Sequence, residues 1–238
     1  LPPAAGAVGM PIAAYAAGTD GLVLGLAVTV LVTVAARAFV TPPAGREPAP
    51  GDGAPAADAP GGPSPDTPRD ALRAILRDLA GAVFVVVYVG FAAGFATLLT
   101  AADDGHWRVI AFLGTVVASD IGGYTAGVLS GGRHKMAPKV SPGKSWEGFA
   151  GSVAACVLVA SVLMAWPLGA PVWQGVLLGL AIACTATVGD LGESLLKRDI
   201  GIKDMGSILP GHGGLMDRLD SLLCTAPVAW LLITLFLD

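Results

Sequence analysis

Between Asp190 and Asp220 the chain reads "DLGESLLKRDIGIKDMGSILPGHGGLMDRLD", a run of acids, bases, a histidine and a Gly-Gly pair set against an apolar segment that continues to the end of the sequence. Asp190, Glu193 and Ser194 are spaced i, i+3, i+4 and so share one face of a helix. Asp217 and Asp220 are i, i+3 partners at the start of the next apolar segment. Two helices presenting carboxylates at one depth offer what a hard divalent cation needs, because Mg2+ takes oxygen ligands, commonly one or two protein carboxylates together with substrate phosphate. Lys197, Arg198, Lys203 and Arg218 flank these acids. Carboxylate, metal, Arg and Lys together can hold a polyphosphate while charge grows on its leaving oxygens. Taken alone, the Lys-Arg pair also fits an anchor at the membrane surface. Gly213 and Gly214 beside His212 let backbone N–H groups approach an anion, just ahead of a helix that begins near Leu215.

The elements that must position these groups are membrane helices. Hydrophobic residues make up 54% of the 238 residues and charged ones 13%, with a mean hydropathy of +0.70, so the chain's solvent is mostly lipid. Spanning the hydrocarbon takes roughly 20 apolar residues in a helix. Six runs of that kind lie near Gly21–Val40, Leu79–Ala101, Trp107–Ser130, Trp146–Pro167, Val172–Leu195 and Leu215–Leu237, and Pro3–Ala17 reads as part of a further span. The expected fold is an all-α polytopic bundle of about six to seven spans packed through small residues. Alternating strands of a membrane barrel are absent from the pattern. The first residue is Leu inside apolar sequence, from which a preceding portion is expected to be missing. Residues 44–70, dense in Pro, Gly, Ala and Asp, read as a disordered linker. It separates N-terminal membrane segments (1–43) from a catalytic membrane domain (71–238). Cys156, Cys184 and Cys224 sit in separate apolar spans without paired spacing and read as small core residues, with no disulfide framework or zinc site.

Loop charge sets orientation. Arg46, Arg69, Arg73 and Arg77, then Arg133, Lys135, Lys139 and Lys144, then Lys197, Arg198 and Lys203 mark three basic loops; the loops near 102–106 and 168–171 hold no Lys or Arg. The alternation puts the basic loops in the cytoplasm and the C-terminus on the far side. Asp120 lies inside an apolar span, where an acid costs on the order of 3 kcal/mol, and so needs either a helix end that reaches water or a function. In the second basic loop, Ser141-Pro142-Gly143 is a turn signal, Lys144 and Ser145 follow it, and Trp146 stands at interface depth. His106 and His134 have no ligand-like spacing.

Ser194 to Asp220, read as S-x-x-K-R, four residues, K-D, then L-P-x-H-G-G-x-x-D-R-x-D, resembles the signature of the phosphatidate cytidylyltransferase family, also called CDP-diacylglycerol synthases. Upstream, "SDIGGYTAGVLSGGRHKMAPKVSPGKSWEG" is similar to that family's Asp-x-x-x-Tyr segment and its K-x-S-P-x-K-[ST]-W-E-G block. The resemblance covers the C-terminal half from Ser119. It implies transfer of a cytidylyl group from CTP to phosphatidic acid, giving CDP-diacylglycerol and pyrophosphate with Mg2+ required and a second cation as a candidate. It also implies a protein of the cytoplasmic membrane whose site faces the cytoplasm. Carried over by position, it makes Asp190 and Asp217 the metal ligands and, with Lys144 and Arg218, the catalytic set. Substrate binding then falls to Asp120, Tyr124, Ser141, Lys144, Ser145, Glu193, Ser194, Lys197, Arg198, Lys203, Asp204, His212, Gly213, Gly214 and Asp220. Expected partners are CTP, phosphatidic acid and membrane lipid, with no nucleic acid and with a homodimer as a candidate assembly. Two other readings stand beside it: a cation-coupled secondary transporter using Asp120 and Asp190, and a membrane-embedded lipid kinase.

Overall fold

The computed structural model of the protein describes residues 2–39, 68–138, 140–201 and 216–238. In order these form α1 (Pro2–Phe39), α2 (Pro68–Val85), a π-helical turn (Val86–Phe91), α3 (Ala92–Thr100), α4 (Gly105–Leu129), β1 (Lys135–Ala137), β2 (Ser141–Ser145), α5 (Trp146–Ala165), α6 (Val172–Ile200) and α7 (Met216–Leu237). Among the described residues, six helical stretches are long and apolar enough to cross a membrane. Lipid offers the backbone no hydrogen-bond partner, so these segments satisfy their amides within the helix. The architecture is the all-α polytopic bundle expected from composition, and the protein reads as an integral membrane protein.

The additional span expected at the start is the first arm of α1. At Ala17 (φ −134°, ψ 19°) and Gly18 (φ 61°, ψ −146°) the chain leaves the helical region and folds back; Gly18's conformation is one that only glycine adopts without strain. Gly6 abuts Thr29, Gly21 abuts the Ala13 carbonyl, and a Cβ on Gly25 would lie 3.2 Å from Met10. Only antiparallel arms give pairings whose residue numbers fall on one side as they rise on the other. The arms pack on the span built from α2, the π turn and α3 around Met10, Ala14, Leu22, Val86 and Leu98. Of the expected linker, 44–67 lies outside the described residues, and Pro68–Asp70 already open α2.

The larger core joins α4 through α7 around Phe112, Cys156, Met164, Leu178, Ile182 and Ile233. Helices approach closely where glycine removes the side chain. A Cβ on Gly122 of α4 would stand 2.6 Å from both the Ala155 Cβ and the Gly151 carbonyl oxygen of α5, and one on Gly179 of α6 would stand 2.6 Å from the Val157 Cα. Cys156 is a core residue as expected and Cys224 is half-buried, but Cys184 is exposed on the outer face of α6. Its span was identified correctly and its face was not.

At the far end of α4, Arg108 is buried and donates from Nε to Asp104 Oδ1 (2.5 Å) and from Nη2 to Asp238 Oδ1 (2.7 Å). The guanidinium's hydrogen bond holds the Asp238 carboxyl below its ordinary range. This cluster gathers the 102–106 loop and Asp238 at one end of the bundle, as the charge alternation requires.

Candidate active site

Within the loop that the sequence presents as basic and irregular, the chain builds a two-stranded antiparallel ribbon, with Lys135 opposite Ser145 and Ala137 opposite Ser141. Ser141-Pro142-Gly143 is therefore extended rather than a turn. The reversal lies just before it, where Val140 N–H donates to the Ala137 carbonyl (3.0 Å). Proline is tolerated there because a two-stranded ribbon leaves one side of each strand unpaired, so a missing N–H breaks no ladder.

The ribbon is clamped to the start of α5. Ser145 has extended backbone angles (φ −129°, ψ 157°) and caps the helix, its Oγ accepting from Gly148 N–H at 3.1 Å. Trp146 N–H donates to the His134 carbonyl (2.9 Å), and Glu147 accepts from the His134 backbone while its Oε1 stands 2.6 Å from His134 Nδ1. His134, without a role in the sequence reading, is thus a structural clamp.

Ribbon, α4, α5, α6 and the start of α7 enclose a cavity of about 700 Å³. It holds Asp120 and Tyr124 of α4, Ser141, Lys144 and Ser145 of β2, and Asp190 of α6, all six named from the sequence. Lys144 and Asp190 form an ion pair across it. Both side chains are partly exposed, so solvent screens the pair and its stabilising effect is small, on the order of 1 kcal/mol or less. Asp120 lies within electrostatic range of Asp190, Asp220 and Lys144. The levels of Asp190 and Asp220 match because Gly189 lets α6 close on α7: a Cβ there would be 2.8 Å from the Cys224 Cβ and 3.2 Å from the Asp220 carbonyl oxygen.

Other expected site residues are not among those that line the described cavity. Glu193 is buried and pairs with Lys197 one turn on, at 2.9 Å; neither they nor Ser194 line the cavity. Arg198 donates from Nε to the Val140 carbonyl at 2.6 Å. Lys203, Asp204, His212, Gly213 and Gly214 lie outside the described residues, and Asp217 and Arg218 are described as backbone of α7 only. The expected approach of Asp190 to Asp217 therefore lies outside the described side chains.

Sequence reasoning missed several polar groups of the wall. Ser119 and Ser152 share a buried hydrogen bond of 2.5 Å that ties α4 to α5. Thr187, Ser221 and Lys135 also line the cavity, and Tyr88, in the π turn, donates to the Asp220 carbonyl at 3.3 Å. None of them belongs to a spacing that marks a site in the sequence. The available signal, adjacency of Ser119 to Asp120, does not tell a wall residue from an ordinary helix serine.

The donor set suits a hard cation, since among the described residues that line the cavity the acids are the carboxylates Asp120 and Asp190, with no Cys or His beside them. Among the described residues no three Asp, Glu, His or Cys side chains form a metal-binding group. An ion here would complete its shell with water and substrate oxygens, the habit of Mg2+.

Residues 6–236 match the model of the cytidylyltransferase family. The chain is 53% identical over 161 residues to the phosphatidate cytidylyltransferase of Mycobacterium leprae, covering 67% of this chain and 51% of that protein. It is 48% identical over 161 residues to the phosphatidate cytidylyltransferase of Mycobacterium bovis, covering 67% and 52%. The chain thus aligns with about half the length of these curated relatives. With a family model matched across nearly its whole length and a cavity that unites Asp120 and Lys144 of the upstream motif with Asp190, the chain belongs to the cytidylyltransferase family.

Proposed function

We propose that the protein transfers a cytidylyl group from CTP to phosphatidic acid, giving CDP-diacylglycerol and pyrophosphate. The observation that carries this reading is the placement of Asp120, Lys144 and Asp190 in one polar cavity at one end of a bundle of lipid-length helices. There a charged nucleotide from water and a phosphate carried on a lipid can meet. The phosphatidate phosphate is a monoester with a second pKa of about 6, so it is already largely dianionic and attacks the α-phosphorus of CTP without a dedicated base. A new P–O bond forms as the bond to the β-phosphate oxygen breaks, and pyrophosphate carries away the charge. Lys144 orients phosphate oxygens and offsets that charge; the ion pair with Asp190 fixes its ammonium before substrate enters. Seryl hydroxyls of the wall donate to the remaining oxygens.

Mg2+ is the proposed metal, held by Asp190 and Asp217 with Asp120 and Asp220 close by; when bound it would neutralise charge on the triphosphate. The site is proposed to face the cytoplasm, in the cytoplasmic membrane. The basic 131–145 loop belongs to the cavity, whereas Arg108, Asp104 and Asp238 cluster about 18 Å away along α4, from the twelve-residue separation of Arg108 and Asp120.

Purified protein in lipid nanodiscs, supplied with CTP and phosphatidic acid, should release pyrophosphate and form CDP-diacylglycerol only when both substrates are present. Pyrophosphate release without phosphatidic acid, transfer of a terminal phosphoryl group to a lipid alcohol, or cation uptake without any transfer would overturn the reading.

A further inference from the structure

Arg198 occupies a position from which a charged side chain could reach a phosphate, yet its Nε donates to the main-chain carbonyl of Val140, at the ribbon's turn, at 2.6 Å. The ribbon touches α6 a second time through Lys144 and Asp190. Asp190 and Arg198 are eight residues apart on α6, a rise of about 12 Å. Val140 and Lys144 are four residues apart on one arm of the ribbon, which bulges between its two pairs, Ala137 with Ser141 and Lys135 with Ser145. The ribbon therefore meets the last turns of α6 at two points, through Val140 with Arg198 and through Lys144 with Asp190. A third fastening, His134 with Glu147, holds the ribbon's base to α5 and does not constrain its turn.

We propose that Arg198 is a positioning residue: it pins the turn of the ribbon to the end of α6 and thereby sets the register that delivers Lys144 to Asp190. The hydrogen bond, not the charge, performs this task. Gly201, in the left-handed region (φ 75°), ends α6 three residues later and directs its own N–H back to the Arg198 carbonyl at 3.2 Å. Arg198 therefore sits on a defined helix end. Without the pin, the ribbon keeps its clamp at α5 but its turn swings free, and Lys144 samples positions away from Asp190. Only the kinetic consequence rests on the proposed cytidylyl transfer; the pin itself does not.

Three substitutions separate hydrogen bond from charge. Gln carries its amide nitrogen the same number of bonds from Cα as the arginine Nε, so Arg198→Gln keeps a donor in place and removes the charge. Arg198→Lys keeps the charge and puts a methylene where Nε stood. Arg198→Ala removes both. Amide hydrogen exchange over 134–145 would be measured on the full chain in nanodiscs without substrate. Exchange should quicken about tenfold in the Ala variant, the effect of losing one hydrogen bond to a charged donor. It should quicken nearly as much in the Lys variant and only slightly in the Gln variant. In turnover assays the same ranking should appear in kcat, with KM for CTP little changed. Ribbon exchange unaltered by Arg198→Ala, or a Lys variant that protects the ribbon and turns over better than the Gln variant, overturns the proposal. The predicted exchange ranking in a protein that makes no CDP-diacylglycerol upholds the pin and sinks the proposed function instead.

Discussion

Replacing Gly122 with alanine tests how the cavity is held to shape. Its Cβ would stand 2.6 Å from the Ala155 Cβ and equally close to the Gly151 carbonyl oxygen, against the 3.4 Å at which ordinary contact begins, so α4 must withdraw from α5 by about 0.8 Å. A backbone oxygen is one of the two obstacles, and no rotamer change relieves that. Overpacking of this kind costs about 1–3 kcal/mol, offset by about 0.5–1 kcal/mol because Ala loses less backbone entropy than Gly in a helix. The net expectation is a modest destabilisation, about 0–2.5 kcal/mol. Activity should suffer more. Asp120 lies two residues before Gly122 and moves with α4, while Lys144 stays with α5, and the Ser119–Ser152 hydrogen bond that joins the helices is stretched from 2.5 Å. Displacements near 1 Å in a positioned site cost up to about a hundredfold, so kcat/KM should fall about tenfold or more. Pyrophosphate release and thermal unfolding would be measured in the same nanodisc preparation. Gly81→Ala on α2 serves as control, because a Cβ there meets nothing within 4 Å; it should be neutral or slightly stabilising with activity intact. If Gly122→Ala matches that control in both measurements, the close approach of α4 and α5 does not shape the site and the reasoning fails.

Asp190→Asn and Lys144→Gln should each lower turnover about tenfold or more, roughly 1.4 kcal/mol of transition-state stabilisation, and the double variant should lose less than the product because the two groups are in contact; independent, fully multiplicative losses would argue against the pair. At the opposite end, the Asp238 carboxyl is held low by Arg108. Its contribution to stability is therefore present above the ordinary aspartate value of about 3.9 and lost as pH falls through the lower folded-state value. The melting temperature of Asp238→Asn should thus trail wild type near neutral pH and converge with it in acid, by no more than about 1 kcal/mol given solvent screening; a gap that widens in acid would reverse the sign. A topology reporter at Gly132 should be cytoplasmic and one after Asp238 extracytoplasmic; the same side for both would mean that a span is miscounted.

Much of this was legible in one dimension. Whether a stretch can span lipid depends on the length and polarity of a continuous run, so the spans emerged close to their final bounds, and the short Pro3–Ala17 run was recognisable as part of an added arm. Loop charges and the spacing of Asp190, Glu193 and Ser194 are equally local. Six of the expected site residues meet in the cavity because each lies in the ribbon or in a span that borders it, all at one end of the bundle. What periodicity does not encode is which neighbour a helix face meets. Glu193 shares its face with Asp190 in the simplest reading, yet it is buried in a pair with Lys197 and does not line the described cavity. The ribbon escaped notice because Ser-Pro-Gly is common in turns and becomes extended here through pairing with Lys135–Ala137. Arg198 finds its acceptor 58 residues away, and Tyr88 reaches Asp220 across 132. Such contacts exist only in the packed bundle, where glycines at 122, 179 and 189 let α4, α5, α6 and α7 approach to backbone distance. The amino-acid order therefore determined the solvent of each segment and the chemistry available at its ends. Tertiary packing decided which of those ends share a cavity, because helix approach depends on the summed fit of opposing surfaces and not on any one of them.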